Sequence, residues 1–109
     1  MVHNFEDFVK EVIGGARDLA RETLGGFDEL AVEDASAFIE VAEADLRNWA
    51  RSLAEKNISE EDFDDLVRGK KALLEICALS REGISAARLE QFRNGLIDLV
   101  VDKALGVFV

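Results

Sequence analysis

Proline and tyrosine are absent from these 109 residues, and cysteine, histidine, methionine and tryptophan occur once each. Average usage of roughly 5% would supply about five prolines, so the composition permits long unbroken helices. The lone cysteine, Cys77, excludes an intrachain disulfide, and the first residues show no basic segment followed by an apolar run ending in small residues. The expected setting is the reducing cytoplasm. The lone histidine is His3, with no Glu-x-x-His pair, so neither a transition-metal site nor a histidine-based catalytic group is expected.

Basic residues are the next shortage. Thirteen Lys and Arg stand against twenty-three Asp and Glu, a net charge of −10, which repels a phosphate backbone and excludes nucleic acid as an expected partner. Uncharged apolar runs of the roughly 18 residues needed to span a bilayer are missing too; Asp98, Asp102 and Lys103 interrupt even the apolar C-terminal segment. A membrane-surface helix would need cations for the headgroups, which this segment nearly lacks.

What is present is a folded-protein composition, 49% hydrophobic and 33% charged, of a length that suits one domain over residues 1–109. Phe5, Phe8, Val9, Val12, Ile13, Ala16, Leu19, Ala20, Leu24 and Phe27 recur at three- and four-residue steps. Asn4 serves as N-cap and Gly25-Gly26 as stop, giving a helix over 5–24. A second stripe, Ala35, Phe38, Ile39, Ala42, Leu46, Trp49 and Leu53, places a helix over 29–56, with its start at Asp28 or, alternatively, near Asp34.

The run Asn57-Ile58-Ser59-Glu60-Glu61-Asp62-Phe63 marks a sharp corner: Asn57 at a left-handed C′, Ser59 as N-cap, and Ile58 stapled to Phe63. Gly83, Ser85, Ile84 and Leu89 repeat that logic 26 residues on. Helices over 60–82 and 86–107 follow, and the fold class is all-α, an antiparallel four-helix bundle. Gly14, Gly69 and Gly95 each lie six residues after an apolar anchor, and Gly14-Gly15 reads as a kink or a tight crossing. Val107-Phe108-Val109 could also be extended.

Chemistry is hard to find. The acidic run from Glu55 to Asp65 lacks the alternation and central glycine of a calcium loop and suits a solvated helix start. Ser59 and Ser85 are occupied as caps, Cys77 sits among Leu73, Leu74 and Ile76 as a buried inert thiol, and Arg68 can pair with Asp64. Neither glycine pair has the context of a phosphate loop. No catalytic residue, cofactor or metal is assigned.

The last helix is the unusual one. Leu96, Ile97, Leu99, Val100, Val101, Ala104, Leu105, Val107, Phe108 and Val109 leave only a narrow polar stripe through Arg88, Gln91, Gly95, Asp98 and Asp102. A helix apolar nearly all round is buried on most sides. Its cover could be another copy, a different protein, an apolar ligand, or the rest of the chain around it as a central helix. The favoured expectation is a non-enzymatic protein acting by homo-oligomerisation or helix-mediated protein contact, through Leu96, Leu99, Val100, Leu105, Val107 and Phe108. The alternative is an apolar-ligand or lipid module with a pocket between Trp49, Phe38 and the last helix.

Overall fold

A computed structural model describes residues 4–109 and shows an all-α bundle: α1 (Phe5–Leu24), α2 (Asp28–Ala54), α3 (Glu60–Arg68), a 3-10 turn (Lys71–Leu73), α4 (Cys77–Ser80) and α5 (Ala86–Phe108). His3 lies outside the described residues. The caps form as their residue types dictate. Asn4 accepts from the Asp7 N–H, Ser85 accepts from the Arg88 N–H, and Ser59 and Asp62 close a reciprocal capping box. Ile58 packs against the core, of which Phe63 is a fully buried member.

Two corners differ in detail from expectation. The α2 C-terminus ends in a Schellman turn whose left-handed residue is Lys56 (φ 62°), with the Asn57 N–H reaching Ser52 O; Asn57 is therefore the residue after C′. At the other corner Gly25, Gly26 and Phe27 all take positive φ, so Phe27 leaves the α1 stripe and stands 40% exposed before α2. Asp28 opens α2 and bonds Arg21 across the corner at 2.6 Å, while Asp34 falls inside the helix.

The helix expected over 60–82 is interrupted. It ends at Arg68, and the chain then runs through the 3-10 turn and an extended step at Leu74 before the one-turn α4. The cause is tertiary. Asp34, 3% exposed and the one buried charged residue among those described, accepts the Ala78 N–H at Oδ1 (2.9 Å) and the Leu79 N–H at Oδ2 (3.0 Å). A continuous helix would have committed both donors to carbonyls one turn back, and a buried carboxylate without donors is far costlier than a lost helical turn. Arg93 of α5 fixes the upstream side, donating from Nε to Leu74 O and from Nη2 to Lys71 O. The break also moves Cys77 outward: it is exposed, its Sγ 3.7 Å from Glu75 Oε2, and not the buried thiol expected of a continuous helix.

The core joins α1, α2 and α5; α5 is in contact with α1, α2 and α3, and α2 with all the other helices. The most extensive contact is α1 against α5, antiparallel, and glycine makes it close. A Cβ on Gly15 would come within 2.6 Å of Leu99, and one on Gly95 within 2.9 Å of Leu19, so each helix lays a leucine over the other's glycine. Of the repeated glycines, Gly95 serves this crossing, Gly14 has nothing within 4 Å and Gly69 caps α3; the six-residue interval corresponds to no shared role.

The crossing yields a prediction. Gly15→Val should lower unfolding free energy by about 1–3 kcal/mol, the usual cost of overpacking, despite the better helix propensity of the new residue. Adding Leu99→Ala should recover part of the loss, and denaturant titration of the four members of the cycle would measure that coupling.

Candidate functional site

Of the six α5 residues proposed as an interface, Leu96 and Val100 are fully buried and Val107 is 7% exposed, all three within the single chain. Leu99 is half-buried over Gly15, and Leu105 and Phe108 are half-buried at the core's margin. The chain's own helices therefore cover most of the apolar excess that the sequence left without a partner. Phe108 is helical, its ring 5.7 Å from that of Phe8, which in turn lies 5.3 Å from Phe5. What α5 leaves available is its last turn and Val109, which is 67% exposed.

Around that turn the surface is grooved. One groove of about 600 Å³ lies between the start of α1 and the middle of α2, over Phe5, Val9 and Ile39. A second, of about 380 Å³, continues from Phe5 and Arg47 past Ala50 and Ala54 to Phe108. A third, of about 610 Å³, runs from Ala54 and Phe108 to Ile58 and Val109. Shared residues make them one trough along α2 from Ser36 to Ala54, a stretch of about 27 Å at the helical rise. Arg47 forms its waist, held by Glu43 at 2.9 Å and stacked 4.4 Å from the Phe5 ring centroid. Sequence reasoning missed this trough. The signal was the small pair Ala50 and Ala54, one turn apart on α2 and close to two aromatic residues that join only in three dimensions.

The alternative pocket is expected around Trp49, Phe38 and the last helix. Phe38 is 2% exposed in the core, Trp49 is half-buried with the Lys70 ammonium 5.7 Å from its ring centroid, and neither lines the trough or the further groove between α1 and α5. That further groove, about 300 Å³ over Gly15 and Gly95, carries Asp18, Glu22, Asp98, Asp102 and Lys103. Asp98 is tied to Arg68 at 2.8 Å, and that bond, with Asp64 beside it, raises the guanidinium pKa above its ordinary value. The Asp64 and Arg68 pair expected one turn apart on a helix is present at 2.7 Å.

Among the described residues no three His, Cys, Asp or Glu side chains stand close enough to hold a metal ion, and no helix is long and apolar enough to cross a membrane. Some charged groups answer one another. The Lys71 ammonium, at 2.9 Å, together with Arg93, holds the Glu90 carboxyl below the usual Glu range. A carboxylate whose folded pKa is depressed adds stability above its unfolded pKa and loses it as pH falls through the folded value. Glu90→Gln should therefore melt lower than the parent at neutral pH, with the difference closing as acid takes the parent below the ordinary Glu pKa. Thermal melts of both proteins across that range check the sign.

Comparison of the chain with known protein families, curated proteins and solved structures finds no match.

Proposed function

We propose that this is a non-enzymatic protein that acts through helix-mediated protein contact, self-association included, with the last turn of α5 as the seat for a partner helix. The observation that carries the reading is the trough that meets at Phe108: an apolar floor about 27 Å long along α2, beside the start of α1 and the end of α5, the form of a helix-in-groove site. Its occupant is an amphipathic helix that lays an apolar stripe on Phe5, Ile39, Ala50 and Phe108. The non-enzymatic part is supported by the engagement of Asp34, the buried carboxylate, with two backbone donors. A cytoplasmic setting suits an exposed free thiol at Cys77.

The test is a titration of nitrogen-15-labelled protein with a synthetic amphipathic helix of Leu, Ala and Lys, about 18 residues long to match the trough. Shift changes are expected around Arg47, Ala50, Ala54 and Phe108, and Ala54→Arg, at an exposed position shared by two of the grooves, should abolish them. Changes spread over the acidic surface, or unaffected by Ala54→Arg, would overturn the reading.

A further inference from the structure

α2 and α5 meet each other far less than either meets α1, and the chain between α3 and α5 bridges the two. Its course follows from its contacts in sequence order. Lys70 reaches Asp45 of α2 at 2.6 Å and Lys71 reaches Glu90 of α5 at 2.9 Å. The Lys71 and Leu74 carbonyls then accept from Arg93 of α5 at 3.2 and 3.3 Å, and the Ala78 and Leu79 N–H groups donate to Asp34 of α2. Glu90 also braces Arg93 at 2.8 Å, which closes a ring of Lys71, Glu90 and Arg93. Between Gly69, which caps α3, and Gly83, whose φ is 72°, only Leu74, Ala78 and Leu79 are buried.

We infer that residues 69–83 form a strap that opens as one unit while α1, α2 and α5 stay packed, with Arg93 and Asp34 as its two latches. The strap has little structure to hold itself: a 3-10 turn and one α-helical turn are far below the length at which a helix persists alone. A few polar contacts and three apolar side chains tie it down, whereas α1 and α5 share an extended buried face, so the strap belongs to the low-stability end of the fold. Only residues 75–77 separate the Leu74 carbonyl from the Ala78 N–H, too few for an element of their own. Water admitted at one latch therefore reaches the side chains seated by the other. Glycine at each end supplies the backbone freedom of a hinge. Opening uncovers the Asp34 carboxylate and the flanks of α2 and α5 beside it, a gate to the interior that leaves the bundle folded. None of Asp34, Asp45, Glu90 or Arg93 lines the trough, so the strap is independent of the helix-docking reading.

Native-state hydrogen exchange at rising denaturant reads the strap directly. In the parent, the Leu74, Ala78, Leu79 and Ser80 amides should converge on one opening whose denaturant dependence is shallower than that of the α1 amides, which report global unfolding. The latch variants test the coupling across the strap. Arg93→Ala should speed exchange at Ala78 and Leu79, amides that Arg93 does not touch, by about tenfold relative to α1. Asp34→Asn should do the same at Leu73 and Leu74, and Arg93→Lys, which keeps the charge beside Glu90 but not the fork onto two carbonyls, repeats the test where alanine does not fold. If each variant speeds only the amides at its own latch, the segment is two independent loops. If the strap amides follow those of α1 at every denaturant concentration, the segment opens only with the whole chain. Either result overturns the strap, and the parent series decides the second without any variant.

Discussion

Replacing Asp34 by alanine is expected to lower the unfolding free energy by about 3 kcal/mol, because two buried backbone donors lose their acceptor at once and each costs about 1–3 kcal/mol when left unmet. The Ala78 and Leu79 N–H groups have no alternative carbonyl, since α4 is a single turn and they belong to its N-terminal end. The relief available is local: α4 can lift from α2 and admit water, which is why the cost should stay near the lower half of the two-donor range. Asp34→Asn should be intermediate, because one carboxamide oxygen can accept while the amide nitrogen faces a donor. Hydrogen exchange would separate the local effect from the global one. Amides at 77–80 should become unprotected in Asp34→Ala while those of α1 and the middle of α5 exchange only with global unfolding.

Val100→Asp should have the largest effect of any single change considered. Val100 is fully buried in the centre of α5, and a carboxylate there would meet no donor and no cation. An uncompensated buried charge costs about 3–5 kcal/mol, comparable with the whole stability of many domains of this size. Circular dichroism should show loss of the cooperative thermal transition. The same substitution at exposed Val109 should leave the melt nearly unchanged. Loss of association in a Val100 variant would therefore report unfolding and not an interface, which is why exposed positions carry the tests of docking.

The legible parts of the sequence were those governed by neighbours in the chain. Asn4, Ser59 and Ser85 cap the helices they precede because a side-chain oxygen needs only donors two or three residues on. Most of the stripes of α1 and α2 is buried as read; Val9, Ile13, Leu19 and Trp49 are half-buried and Phe27 is exposed. The illegible parts depended on distant partners. Nothing near residues 69–80 announces a break; the demand comes from Asp34, more than forty positions away, and from Arg93 on a later helix. The burial of Leu96 and Val100 was likewise ambiguous, because an apolar helix reads the same whether its own chain or another covers it.

The leucine-over-glycine crossing also sets an order of events during synthesis. Residues 15 and 19 meet residues 99 and 95, so α1 makes its most extensive contact with a helix synthesised well after it. Until α5 emerges, Phe8, Val12 and Ala16 lack that packing surface, and the nascent chain carries a greasy helix while α2 to α4 are made. Contacts of such long sequence separation are paid in loop-closure entropy before they are rewarded, and the α1–α5 crossing is of that kind. A stalled or truncated chain lacking α5 would expose that first helix to aggregation, and holding it apart is the demand this architecture makes on chaperones.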